Sequence, residues 1–295
     1  MPVAPGVCRT WKQSTVLVGE WPDEDCTLKM NTESAPTDST RAPSSLSRRA
    51  AELVGVPNMV TLCCDCLSRE RCPVSQLMTA DTGRQAAAVV SRSHKLAHGE
   101  HLFRESDKAE ALFVVKSGSA KVYFTSEDGS EQVVAFYMPG DVLGLDALGV
   151  EQHSSSALAL ESTSVCVIPM AGLKEACTKI CTSDWHHCLY QLLSRELIRG
   201  HRSMELMTKK DAEAKLASFL LDLSGQFKER GYSASSFNLS MKRSEIGSHL
   251  GLAVETVSRI LTRFQEDGLL RVERRRVQIF NHSALEALAG SHLSY

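Results

Sequence analysis

Between Leu102 and Ile168 the apolar residues fall into short alternating runs, and this pattern constrains the fold more than any other feature of the chain. Leu102-Phe103, Ala111-Leu112-Phe113-Val114-Val115, Ala120-Lys121-Val122-Tyr123-Phe124, Gln132-Val133-Val134-Ala135-Phe136-Tyr137 and Ser164-Val165-Cys166-Val167-Ile168 each read as a strand. Turns at Gly99-Glu100, Lys116-Ser117-Gly118, Glu127-Asp128-Gly129 and Pro139-Gly140-Asp141 separate them. Short strands joined by tight turns run antiparallel, and several of them in series close into a barrel or jelly roll.

A different period takes over near Asp184. Leu193, Leu197, Gly200, Met204 and Met207 follow spacings of four, three, four and three, and Tyr190 and His186 extend the series backward. That is a heptad seam on one long helix. Such a stripe either packs inside the chain or meets a second copy. Charged Arg195, Glu196, Arg199, Arg202 and Glu205 flank it, which favours a homodimer seam. Gly200 costs about 1 kcal/mol of helix propensity relative to Ala, and it lets two helices approach closely. A second helix opens at Asp211, carries Ala214, Leu216, Phe219, Leu220 and Leu223, and ends near Arg230-Gly231.

From Leu239 to Phe264 the pattern is two helices around a tight turn. The first, about Ser244 to Leu250 with Ser244 as N-cap, meets the turn at Gly251. The second runs from about Ala253 to Asp267 and stops at Gly268. Ile246, Leu250, Val257, Ile260, Leu261 and Phe264 supply an inner face, while Glu255, Thr256, Ser258, Arg259 and Arg263 face out. This is a helix-turn-helix whose second helix is polar in its N-terminal half, the half that reaches base edges. Leu269 to Phe280 then alternates as a β-hairpin wing with a basic tip.

The whole chain has a formal net charge of −2, so any attraction to nucleic acid has to be local. Residues 241–280 supply it, with eight Lys and Arg against five Asp and Glu. Arg259 can fork to guanine O6 and N7, Glu255 can accept from cytosine N4, and Ser258 can serve either partner. Lys242, Arg243, Arg263 and the Arg274-Arg275-Arg276 tip suit phosphates, which gives grip and salt dependence without sequence information.

Four of the ten cysteines, Cys63, Cys64, Cys66 and Cys72, lie within ten residues. Thiols this close hold a metal, form a disulfide knot or do redox chemistry. No run of eighteen apolar residues is present, so no transmembrane helix is expected. The N-terminus does not read as a signal peptide. A cytoplasmic protein is therefore expected, and there a cysteine cluster points to metal or redox chemistry rather than a disulfide framework. Two thiolates at Cys-x-x-Cys spacing reach one soft metal from a single turn, and a third five residues later can cap it. Cys177 and Cys181, with Cys188 nearby, read as small buried apolar residues. A Cys-x-x-Cys oxidoreductase expects its pair beside a βαβ unit, and no such pattern or other catalytic constellation appears, so an enzyme is not expected.

The chain divides into a disordered extension over 1–55, a cysteine-rich segment and weak helix over 56–92, a β-roll sensor domain over 93–182, a dimerisation helix over 183–210 and a winged helix-turn-helix domain over 211–295. It is an α+β chain: an antiparallel β jelly roll, a long helix and a C-terminal winged helix-turn-helix.

The glycine spacing of the strand region resembles the cyclic-nucleotide-binding, cupin-like domain of the CRP/FNR regulators. Members that bind such a ligand place a Gly-Glu pair and an Arg-Ser or Arg-Thr pair around a short helix after a Pro-Gly turn. From Pro139 to Ser156 this chain has no Arg, and Asp141, Asp146 and Glu151 would repel a phosphate. Cyclic nucleotide is therefore not an expected ligand.

Three stretches together, Cys63-x2-Cys66-x5-Cys72-Pro73, the strand end Glu161 to Pro169 and Gly251-Leu252-Ala253-Val254-Glu255-Thr256-Val257-Ser258-Arg259, resemble the FNR-type oxygen-responsive regulators of the CRP/FNR superfamily. The resemblance runs from about residue 60 to the C-terminus. It implies a [4Fe–4S] cluster held by Cys63, Cys66, Cys72 and Cys166, with Cys64 as an extra thiol. It also implies a homodimer on double-stranded DNA, with Glu255, Ser258 and Arg259 reading a TTGAT half-site in an inverted repeat. The loop near Glu127-Asp128-Gly129 resembles a surface that contacts RNA polymerase. The family often carries an acidic residue in its dimer seam, where this chain has Gly200. The alternative expectation keeps the DNA-binding role and makes the cysteines a zinc site or a thiol switch.

Overall fold

A computed structural model of the chain describes residue 72 and residues 92–171, 183–209 and 211–290. The expectations for residues 1–55, for Cys63, Cys64 and Cys66, for the helix after residue 74 and for Cys177 and Cys181 lie outside the described residues.

Strands β1 (Arg92–Leu96), β2 (His101–Phe103), β3 (Ala111–Ser117), β4 (Ala120–Thr125), β5 (Glu131–Tyr137), β6 (Val142–Leu143), β7 (Ser156–Ala159) and β8 (Thr163–Pro169) form two antiparallel sheets. Their orders are β1-β8-β3-β6 and β2-β7-β4-β5. The expected strands are present. β1, β6 and β7 were not expected; they are short or carry few large apolar residues. Because side chains alternate across a strand, each sheet has an inner and an outer face. Phe103, Phe113, Val115, Tyr137, Leu143, Val165 and Val167 fill the space between the sheets.

Both outer faces are also covered. On the first sheet, Leu112, Val114, Val142 and Ile168 form a second apolar cluster together with buried Cys72. Half-buried Cys166 on β8 and Leu192 pack against that cluster. On the second sheet, Tyr123, Val133 and Phe136 join the core of the C-terminal region.

That region contains α1 (Ser183–Thr208), α2 (Ala212–Glu229), β9 (Ser236–Asn238), α3 (Arg243–Leu250), α4 (Val254–Glu266), β10 (Leu270–Glu273), β11 (Arg276–Ile279) and α5 (His282–Ala289). The side chain of Asp211 caps α2 by accepting from Glu213 N–H at 3.1 Å. β9 adds a third strand to the wing sheet, in the order β10-β11-β9.

One carboxylate ties three of these parts together. Asp141, in the turn after β5, pairs with Arg199 of α1 at 3.0 Å and with Arg230 at the end of α2 at 2.9 Å. Arg199 also lies over the Tyr137 ring at 4.3 Å, and the Tyr137 hydroxyl donates to Glu196 at 2.5 Å. Burial, reinforced by the Glu196 charge, raises the Tyr137 pKa, so the phenol stays protonated as a donor.

His249 of α3 is buried where the sheet meets the helices. Its ring centroid lies 5.2 Å from that of Phe136 on β5 and 5.6 Å from that of Phe219 on α2, and its Nδ1 is 3.4 Å from the Val133 carbonyl oxygen. Burial lowers its pKa from 6.5; the Val133 carbonyl and the Asp222 carboxylate oppose the shift without reversing it. A depressed pKa means that the unfolded chain takes up a proton before the folded one does. The stabilisation is therefore complete above pH 6.5 and is lost as pH falls below it. Thermal melts between pH 7.5 and pH 5.5 should show a steeper loss of Tm in the wild type than in His249→Gln, and equal slopes would contradict this.

Candidate nucleic-acid interface and thiol face

The helix-turn-helix forms where the sequence places it, with one correction at its start. The N-cap of α3 is Lys242, not Ser244, which lies inside the helix. Glu245 makes the cap by reaching back, and its carboxylate accepts from the Lys242 N–H at 2.7 Å. An acidic residue three places into the helix is the sequence signal for such a cap. Gly251 closes α3 in the left-handed region, with φ of 64°. That conformation suits glycine because it has no Cβ to clash. Four residues earlier the turn is tight for a different reason: a Cβ on Gly247 would lie 2.6 Å from the Leu252 carbonyl oxygen. Gly247 is not legible in the sequence, because close approach of two backbone segments leaves no periodic signal.

Val257, Ile260, Leu261 and Phe264 anchor α4 in the core. Glu255 and Arg259 point to solvent from its first two turns, with Ser258 half-buried between them. Arg243 Nη1 donates to the Ser258 hydroxyl at 3.3 Å, which joins a proposed phosphate contact to a proposed base contact. Lys242, Arg243 and the wing-tip residues Arg274, Arg275 and Arg276 are exposed. Arg274 takes a positive φ of 56° in the two-residue turn between β10 and β11, a strain of roughly 1–3 kcal/mol that projects the basic tip. Arg263, also exposed, pairs with Glu213 of α2 at 2.5 Å. Glu255, Arg259, Lys242, Arg243, Arg263 and the wing-tip arginines, the proposed base and phosphate contacts, are thus all exposed.

The thiol face lies on the other sheet. Cys166 sits on β8 opposite Val114 of β3 and Ser93 of β1. Its neighbours Val165 and Val167 point into the sandwich core, so alternation turns Cys166 outward. Cys72 is 9% exposed, within the cluster that Cys166 packs against. Two of the four proposed ligands therefore share one apolar patch. Cys72 is buried and Cys166 half-buried, and an apolar shell of this kind would shield an iron–sulfur cluster from water. Leu192 of α1 packs on the same patch.

Among the described residues, the proposed seam on α1 has no intramolecular cover. Tyr190, Leu193, Leu197, Met204 and Met207 are 40% exposed or more, and Gly200 has open space around it. Leu206, by contrast, faces the body of the protein and is buried.

The segment expected to lack a phosphate site already contains an anion of its own. The Asp146 carboxylate accepts from the Ser154 N–H at 3.0 Å, the Ser154 hydroxyl at 3.1 Å and the Ser155 hydroxyl at 3.2 Å. His153 lies 3.4 Å from it and stacks on Phe103 at 3.8 Å. Burial opposes the Asp146 charge, but the bonds from His153 and Ser154 win and hold its pKa below the usual carboxylate value.

Comparison with known proteins adds the following. Residues 93–179 match the family described as Cyclic nucleotide-binding domain, and residues 214–288 match Crp-like helix-turn-helix domain. The chain is 40% identical over 232 residues to Transcriptional activator protein anr of Pseudomonas aeruginosa, covering 78% of this chain and 93% of that protein. It is 37% identical over 228 residues to the Fumarate and nitrate reduction regulatory protein of Vibrio cholerae, covering 77% and 90%. Among solved structures, FixK2 from Bradyrhizobium japonicum matches with a TM-score of 0.63 and 29% identity, covering 68% of this chain and 98% of that one.

Gly247→Ala should destabilise the protein by about 1–3 kcal/mol, because the Leu252 carbonyl has to shift. Gly225→Ala in α2 meets nothing and should be neutral or stabilising. Thermal unfolding of the two variants checks this, and equal Tm values would contradict it.

Proposed function

The chain belongs to the CRP/FNR family of transcription regulators and carries that family's DNA-binding helix-turn-helix, and from this premise we propose a homodimer that senses oxygen through a [4Fe–4S] cluster and binds a TTGAT-type inverted repeat. The observation that supports this reading best is the shared patch of Cys72, Cys166 and Leu192. It brings a cluster-ligand candidate from the cysteine-rich segment, another from β8 and a residue of the long helix into one apolar contact. Cys63 and Cys66 would complete the ligand set. When bound, the cluster would supply an oxygen-labile crosslink between the cysteine-rich segment and β8.

The rest of the proposal concerns the chain's own side chains. Leu192 transmits the packing of the thiol face to α1. The exposed stripe from Leu193 to Met207, Gly200 included, forms the dimer seam. Glu255, Ser258 and Arg259 read bases, while Lys242, Arg243, Arg263, Arg274, Arg275 and Arg276 hold phosphates. Exposed Glu127 and Asp128, at the tip of the β4–β5 hairpin, suit a contact with RNA polymerase. Asp146 already takes up the Ser154 and Ser155 donors of the segment after the Pro-Gly turn, which speaks against a cyclic nucleotide there.

Anaerobically purified protein should be coloured, should contain iron and labile sulfide, and should bleach in air. Alanine at Cys166 should abolish the colour as completely as alanine at Cys66. A colourless, air-indifferent protein that holds zinc would instead favour the zinc-site alternative.

Arg259→Ala should cost roughly 1–3 kcal/mol on the cognate repeat and relax specificity at one position, whereas Arg274→Ala should weaken all sequences alike and lower the salt slope by about one. Titrations at several salt concentrations separate these outcomes, and the same pattern from both variants would contradict the assignment.

Gly200 leaves the seam without the acidic repulsion common in the family, so dimerisation should depend less on the cluster. In sedimentation runs, aerated wild type should keep more dimer than aerated Gly200→Asp; equal loss of dimer in both would refute this.

A further inference from the structure

The β4–β5 hairpin does more than close the second sheet. Its stem grips α3, the first helix of the helix-turn-helix, along one line. Lys121 of β4 has a side chain only 6% exposed, and its ammonium lies 2.5 Å from Glu131 of β5 and 3.1 Å from Glu245 of α3. Burial alone would lower the Lys121 pKa, but the two carboxylates reverse that effect and raise it, so the cation stays charged inside the contact. One turn on, the Ser248 hydroxyl donates to the Glu131 carbonyl at 2.7 Å and accepts from the Val133 N–H at 2.9 Å. The Gln132 side-chain amide donates to the Ser248 carbonyl. His249 then fills the space between Phe136 and Phe219.

These contacts are directional. An apolar face tolerates sliding, but a buried ammonium between two carboxylates and a hydroxyl bonded to an edge strand fix both register and angle. Ser248 pairs with unused groups on β5, whose other edge is bonded to β4. The hairpin thus adds α3 to its open edge.

The contact also leaves the reading surface clear. α3 turns Glu245, Ser248 and His249 to the hairpin and Ile246 and Leu250 to its own domain's core. Glu255, Arg259 and the Arg274 to Arg276 tip stay exposed. A device that hid the DNA-reading helix would have to cover those residues, and this contact covers none of them.

We propose that the Lys121–Glu245 and Ser248–β5 contacts form a clasp that sets the angle of the recognition helix relative to the sensor domain, making Lys121 and Ser248 positioning residues for DNA binding. In a dimer this angle fixes the distance between two recognition helices, and so the half-site spacing the protein accepts. The inference rests on the DNA-binding homodimer proposed above, and it adds a specific route by which the sensor controls the output.

The test uses full-length anaerobic protein, as wild type, Ser248→Ala and Lys121→Met, on three duplexes: the TTGAT inverted repeat, the same repeat with one base pair inserted at its centre, and a single half-site. One inserted pair moves a half-site by about 3.4 Å and rotates it by about 35°. Wild type should prefer the uninserted repeat at least tenfold. Both variants should narrow that preference to threefold or less while keeping half-site affinity within twofold. Unchanged spacing preference, or a parallel loss on all three duplexes, would overturn the proposal. Amide exchange in DNA-free protein gives a second measurement that survives failure of the proposed DNA site. The Val133 amide should exchange at least tenfold faster in Ser248→Ala with the amides of α4 unchanged, and equal Val133 rates would overturn the clasp.

Discussion

Everything in this protein hangs on the alternation of side chains in a two-sheet sandwich. Val165 and Val167 point into the core from β8, so Cys166 between them has to point out. Phe113 and Val115 do the same on β3 and turn Val114 toward the thiol face. A slip of one residue in either strand would exchange the two faces and bury the thiol in the core. The sandwich interior therefore fixes what each outer face can carry. One face carries the thiols and Leu192; the other carries the DNA-binding domain.

The long helix is the element that meets both ends of this arrangement. Leu192 packs against the thiol face, while Arg199, through Asp141, reaches the end of α2. Asp141 holds two guanidinium groups at about 3 Å, and each is itself anchored, Arg199 over Tyr137 and Arg230 on the Pro139 carbonyl. Breaking a largely buried, doubly paired carboxylate of this kind is costly because it strands the partner charges. Among the described residues nothing covers the exposed stripe of α1, the proposed seam with another copy.

Local patterns were legible in the sequence, and distant pairings were not. The β3, β4, β5 and β8 strands carry three or more large apolar residues each and declared themselves. β1 has only Leu96 as a large apolar residue, β7 reads Ser-Ala-Leu-Ala, and β6 is two residues long, so pairing with neighbours rather than propensity makes them strands. The helix-turn-helix was legible because Gly251, Gly268 and the apolar spacing around Val257 encode it within thirty residues. Its cap was misplaced by two residues because Ser244 is a better cap by type than Lys242, whereas the Glu245 carboxylate decides the matter. The clasp joins positions more than a hundred residues apart, and Lys121 looked like an ordinary polar residue of a strand. Asp146 was legible only as a charge that would repel a phosphate, because nothing in the local pattern pairs it with His153 seven residues on.

The central claim is that the thiol face acts on the long helix through their shared apolar patch. Amide hydrogen exchange along α1, measured on anaerobic protein before and after exposure to air, tests it most directly. Amides around Leu192 should exchange faster after air in the wild type and should be insensitive to air in Cys166→Ala. Identical exchange across α1 before and after air in the wild type would contradict the claim.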